Sequence, residues 1–192
     1  MTKPLKTLVA TAAISLAVAG AASAQDALQW QGFYAGAQVN SISPDLEGAP
    51  VGFGSGQSIG VFGGYNHALA DNFVVGGELS FNGSSSHTIV PGTDLSLDNL
   101  MTVRARGGYA VGSALFYGSV GYATTDASIT GVPFTLDASG TIFGLGVEAM
   151  LTETLSARIE YNRANMDLSG GGVPPGLEVN ADAVTMGIAY HF

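Results

Sequence analysis

Cysteine is absent, which removes disulfides, thiolate metal ligation, thiol redox chemistry and a lipid anchor on an N-terminal cysteine. Basic residues are nearly as scarce, with six lysines and arginines against fifteen acids in 192 residues. Both lysines, Lys3 and Lys6, stand before Ala24, so the chain beyond it carries four arginines against all fifteen acids, a formal charge of about −11 with histidine neutral. Nucleic-acid binding needs a basic footprint, and this balance excludes it. Long apolar runs are missing as well. After Ala24 no stretch approaches the roughly 18 consecutive apolar residues of a helical membrane span. Yet only 11% of residues are charged, 28 are glycine, and the mean hydropathy is +0.31. A transmembrane β-barrel reconciles these facts, because its apolar residues alternate along strands instead of forming runs.

The N-terminus reads as an export signal. Lys3 and Lys6 precede an apolar stretch from Leu8 to Ala19, and small residues lead to Ala22-Ser23-Ala24. Cleavage is expected after Ala24, leaving a signal peptide over 1–24 and one domain over 25–192.

Within that domain, alternation with a period of two recurs eight times. Phe33, Ala35, Ala37 and Val39 oppose Tyr34, Gly36, Gln38 and Asn40 in a segment that begins at Trp30. From Gln57, Ile59, Val61 and Tyr65 form the apolar set, and Phe62 is the one awkward residue on the polar side. Val103 and Ala105 alternate with Arg104 and Arg106, Leu145 and Val147 with Gly146 and Glu148, and Ala157 and Ile159 with Arg158 and Glu160. In the fifth segment Phe116, Val120 and Tyr122 are taken as outward, although Leu115 and Tyr117 fit either face. Connections alternate in length: short ones lie near Ala70-Asp71-Asn72, Gly112-Ser113 and Thr152-Glu153, and stretches of about 13 to 16 residues lie near 41–56, 83–97, 125–138 and 166–180. Short turns on one side and long loops on the other are the pattern of an all-β, eight-stranded antiparallel up-and-down barrel in a bacterial outer membrane. Closure leaves no free strand edge, and the chain is expected to be a monomer.

The final strand ends in Tyr190-His191-Phe192, with apolar residues at every second position back to Val184. This resembles the C-terminal signature, carried here by Tyr190 and Phe192, that the barrel-assembly machinery recognises. With WQGFYAGAQVN near the start and Val103-Arg104-Ala105-Arg106-Gly107-Gly108-Tyr109 in the middle, the chain resembles the small eight-stranded outer-membrane barrels of alphaproteobacteria, OmpA-like proteins often called surface antigens or, loosely, porins. The resemblance implies residence in the cell outer membrane among lipid and lipopolysaccharide. Unlike the full-length OmpA type, no peptidoglycan-binding domain is expected after Phe192.

Six charges fall on inward positions of strands that were placed from their apolar residues: Glu78, Arg104, Arg106, Glu148, Arg158 and Glu160. Each lies about four to seven residues above a short turn, which at roughly 3.3 Å per residue puts them in one layer. An eight-stranded barrel is just wide enough inside for side chains to fill. The six are therefore expected to form a lumenal ion network, either a satisfied polar core or the gate of a narrow passive channel. Arg163 should stand outward near the loop end, available to a lipopolysaccharide phosphate or to a neighbouring loop acid. The long connections carry Asp45, Glu47, Asp94, Asp98, Asp126, Asp137, Asp167, Glu178 and Asp182, scattered without the spacing of a metal loop. His67 and His191 fall near the short-turn end, and His87 follows Ser84-Ser85-Ser86, but no spacing marks a nucleophile held against a base. No cofactor, metal site or catalytic residue is expected.

Overall fold

A computed structural model describes residues 26–46, 56–69, 72–90, 93–129, 135–170 and 178–192; the expected signal segment lies outside them. Nine strands follow in chain order: β1 (Gly32–Leu46), β2 (Gly56–Ala68), β3 (Phe73–Asn82), β4 (Ser85–Val90), β5 (Thr93–Val111), β6 (Ala114–Ile129), β7 (Thr135–Met150), β8 (Leu155–Ser169) and β9 (Glu178–His191). All pairings are antiparallel between sequential neighbours, except that β1 also pairs with β9 and β3 also pairs with β5. These two pairings close the sheet. β3 and β4 are two parts of one stave, interrupted at Gly83-Ser84 and both bonded to β5, so the nine strands build an eight-stave barrel. At the seam the Phe192 amide donates to the Phe33 carbonyl (2.9 Å).

Register follows from the alternation. Phe33, Val61, Leu79, Val103, Val120, Leu145, Ile159 and Met186 are exposed on the outside, whereas Gln38, Ser80, Arg104, Glu148 and Thr185 are buried inside. A slip of one residue would carry the arginines of β5 outward. In a hydrocarbon layer each misplaced arginine costs about 2–4 kcal/mol near the midplane, so surroundings of lipid hold the register. The doubtful segment resolves in the direction taken: Phe116, Val120 and Tyr122 face out, and Leu115 and Tyr117 are buried. A ring of outward aromatics marks the short-turn end, with Phe33 packed edge-on to Tyr65 (4.9 Å), Phe73 to Tyr109 (5.1 Å) and Tyr190 to Phe192 (5.1 Å).

Two sequence expectations need correction. The segment opening at Trp30 is not all strand, because Leu28–Trp30 form a 3-10 turn and β1 begins at Gly32. This turn folds into the short-turn mouth, where Trp30, 0% exposed, packs in one cluster with Ala27, Val74, Ala110, Leu115 and Tyr117. Its polar flank is fastened by the Asp26 carboxylate, which accepts from the Gly112 amide (2.7 Å), and by the Gln29 side chain, which donates to the Gly112 carbonyl (2.6 Å). Secondly, the long connections are shorter than expected, because strands run into them: β1 continues to Leu46, β6 to Ile129 and β8 to Ser169, and 85–90 pairs with 93–97 as a hairpin. Beyond the membrane the outward face meets water and carries exposed polar residues such as Ser41, Ser43, Asn165 and Asp167, so apolar alternation no longer marks the strand.

Candidate functional site

The inside of the barrel is filled in layers. Above the Trp30 turn lie the six charged residues, all between 0% and 6% exposed. Glu78 is the hub. Its carboxylate meets Arg104 at 2.5 Å, Arg158 at 2.5 Å and Arg106 at 3.6 Å, and accepts from the Tyr34 hydroxyl at 2.9 Å. Arg104 also bonds Glu160, and donates to Asn162 Oδ1 at 3.0 Å. Arg106 reaches Glu148 at 2.8 Å. The structure thus brings all six together in one connected set of three cations and three anions. Matched charge is what makes burial tolerable, because an uncompensated ion inside a barrel costs several kcal/mol.

How the pairs form depends on more than strand register. Glu78 and Arg104 stand opposite each other on β3 and β5 and pair directly. Glu148 and Arg158 are also opposite, on β7 and β8, yet each reaches across the lumen instead, Glu148 to Arg106 and Arg158 to Glu78. Inward aromatics support the crossing guanidiniums. Arg158 lies over the Phe62 ring at 3.5 Å and Arg106 over the Tyr117 ring at 4.0 Å, both cation–π contacts. Phe62, awkward in an otherwise polar row, is thereby explained. Glycine makes the room: a Cβ on Gly64 would lie 2.5 Å from the Tyr34 hydroxyl, and one on Gly146 would lie 2.5 Å from the Tyr117 ring.

Several members escaped sequence reasoning. Gln38 accepts from Arg158 at 2.7 Å, and Ser156 donates to Glu148 at 2.6 Å. His191 lies 3.0 Å from Ser156 and 3.4 Å from Glu148 through its Nε2, with the Trp30 ring edge-on beneath it at 5.5 Å. Inward position was the available signal for each, but polar inward residues are common to every strand. Serine, histidine and carboxylate here do not form a relay, since hydroxyl and carboxylate approach the same ring nitrogen and the serine donates to the glutamate. Of the other histidines, His67 is exposed and the His87 side chain is outside those described.

The next layer is made of amides and hydroxyls. Asn82 Oδ1 accepts from Gln38 (2.7 Å) and Asn40 (2.8 Å), Thr185 donates to Asn40 (2.7 Å), and Ser80 pairs with Thr102 (2.7 Å). A hollow of about 40 Å³ lies at this level beside Arg104. Still nearer the long-connection end, Ala123, Ala138, Ile142, Ala164 and Met166 form an apolar inner cluster on β6 to β8.

Outside, Arg163 is 55% exposed and lies 4.0 Å from Asp182, the neighbouring acid among the two partners expected for it. Asp182 in turn accepts from the Tyr161 hydroxyl at 2.6 Å, and Asp126 from the Asn99 amide at 2.9 Å. The side chains of Asp45, Glu47 and Asp94 are outside those described. Among the described residues no three histidines or acids come together as a metal site. Tyr190 and Phe192 are both exposed at the seam.

The sequence matches the model of the outer membrane protein beta-barrel domain over residues 11–192. The chain belongs to that family. A 22 kDa outer membrane protein of Rhizobium leguminosarum bv. viciae is 29% identical over 170 residues, covering 84% of this chain and 78% of the relative. Among solved structures, this outer-membrane barrel is similar to Neisserial surface protein A (TM-score 0.59, 16% identity, 84% of this chain and 98% of that one). It is also similar to Ail of Yersinia pestis (TM-score 0.57, 11% identity, 84% and 99%) and to OprG of Pseudomonas aeruginosa (TM-score 0.53, 15% identity, 85% and 98%). At these identities the likeness is one of fold. The barrel therefore resides in the cell outer membrane, with its short turns toward the periplasm and its long connections outside.

Proposed function

We propose that this barrel is a non-conducting structural and surface protein, which contributes to outer-membrane integrity and presents acidic loops. The observation that carries this reading is the charge-balanced network, six buried ions joined across the whole lumen. The Trp30 turn below it adds a further closure, and the apolar cluster of Ile142 and Met166 above it is unfavourable to a hydrated ion. Among the described residues no nucleophile is held against a base, which supports a non-enzymatic role. The exposed acids near the outer rim, Asp137, Asp167 and Glu178 among them, repel one another and stay solvated. Tyr190 and Phe192 serve assembly: the terminal strand makes the closing seam, and its aromatic pair is the feature offered to the assembly machinery before closure. With every stave paired on both sides, a monomer suffices.

The second reading is a narrow passive channel for small solutes, favoured by the amide and hydroxyl layer and its small hollow beside Arg104. Planar-bilayer recording of the full barrel separates the two. The structural reading requires no steady conductance from wild type. Resolved openings whose size or lifetime changes with Glu78→Ala would overturn it in favour of the channel.

A further inference from the structure

We infer that the outward face of β5 to β8 is a seat for one acyl chain of lipopolysaccharide, whose phosphate is held by Arg163. Most outward positions near the middle of these strands carry large apolar side chains, but β5 and β6 place Ala105, Gly107 and Gly118 together, with Gly107 and Gly118 directly opposite each other. Over them lies a hollow of about 460 Å³ walled by Phe143 and Tyr161, with Arg163 at one end. A second hollow of about 580 Å³ shares Gly118 and Tyr161 but runs toward Phe116 at the short-turn end, so the seat on the Arg163 side is the first.

Protein packing does not require the glycine at its centre. A Cβ on Gly107 would meet nothing within 4 Å, in contrast to the inward glycines, whose Cβ atoms would strike the network. The groove faces hydrocarbon, where a flexible apolar chain is the occupant at hand. Charge selects which lipid. Arg163 is the one arginine or lysine beyond Ala24 that is not in the buried network, and it stands at the outer end of the groove. Its 4.0 Å contact with Asp182 is loose, and Asp182 is already engaged by Tyr161, so the guanidinium retains donors for a phosphate fork. Asp167 and Glu178, exposed farther out, disfavour a free anion. A phosphate tethered to a chain in the groove overcomes that repulsion, whereas a soluble phosphate does not. Because Arg163 lies toward the external side, the donor leaflet is the outer one and the lipid is lipopolysaccharide.

The test is native mass spectrometry of the full barrel, extracted in mild detergent and incubated with purified lipopolysaccharide, its dephosphorylated form, or phosphatidylglycerol. Wild type should retain one lipopolysaccharide. Arg163→Ala and Gly107→Leu should each lower the retained fraction about tenfold, and Arg163→Lys should keep part of it. Heat-modifiable gel mobility confirms that each variant is folded, and if Gly107→Leu is not, Arg163→Ala decides alone. Unchanged retention in Arg163→Ala, or equal retention of the dephosphorylated form, would overturn the phosphate contact. Equal retention of phosphatidylglycerol would overturn the choice of lipid. Wild-type dimers that disappear in Gly107→Leu would assign the groove to a second copy of the chain instead.

Discussion

Replacing Glu78 by glutamine isolates what the hub carboxylate does, because the side chain keeps its size and loses only its charge. Three guanidiniums converge on Glu78, but they do not depend on it equally. Arg104 keeps Glu160 and Arg106 keeps Glu148, whereas Arg158 has no other carboxylate among its ion pairs and retains only the neutral Gln38. Glu78→Gln therefore leaves one buried arginine uncompensated, a loss of about 3–5 kcal/mol. Glu160→Gln should cost less, since Arg104 still holds Glu78. Removing both ends of the orphaned pair, in Glu78→Gln with Arg158→Met, restores the count of two cations and two anions and should recover at least half of the single-variant loss. The assay is urea unfolding from lipid vesicles, read by the fluorescence of the one tryptophan, Trp30, and by gel mobility. Trp30 sits under the network, so its emission reports on the interior. A Glu78→Gln loss below about 1 kcal/mol, or a double variant showing the full sum of both single losses, would refute the idea that charge balance holds the lumen together.

Three further outcomes follow from the same geometry. Trp30→Ala, which empties the turn that fills the periplasmic mouth, should lower stability by about 3–5 kcal/mol in urea unfolding followed by gel mobility, because the variant has no tryptophan to report; a change within experimental error would make the turn an ornament. In the cysteine-free chain, a spin label at Val103 or Ile159 should be relaxed by oxygen dissolved in the bilayer, and one at Thr102 should not; the opposite pattern would invert the register. Deleting Phe192 should lower the amount of assembled barrel in cells several-fold while leaving spontaneous folding into detergent largely intact, and equal loss in both would assign Phe192 to stability instead of assembly.

Much of this barrel is legible in the residues because lipid enforces a strict rule on the outward face. Val103, Leu145 and Ile159 obey it, and their neighbours Arg104, Glu148 and Arg158 are placed inward as a consequence. Where the rule lapses, legibility lapses too. Along Ser84-Ser85-Ser86-His87-Thr88 no apolar residue alternates with the polar ones, so His87 and its neighbours look like a loop although they pair in the hairpin of β4 and β5. Trp30 shares the inward parity of Tyr34 and Gln38 on paper, and only its burial against Val74 and Leu115 draws it out of the strand. Which arginine meets which glutamate is set by distances across the lumen, so the exchange in which Glu148 and Arg158 bypass each other has no signature along the chain. Phe62 and Tyr117 did carry a signal, as aromatics set in a polar row, and that signal amounts to a platform for a guanidinium.

Shared ownership of the buried carboxylates also constrains how this barrel can diverge. A chance replacement of Glu78 strands the buried Arg158 at once, because that arginine has no second carboxylate among its ion pairs. Neutral drift is thus closed to these positions one at a time, and descendants should either retain all six or have exchanged members in compensating couples. Aligned homologues ought to show that co-variation between strands distant in sequence, notably between the sites of Glu78 and Arg158.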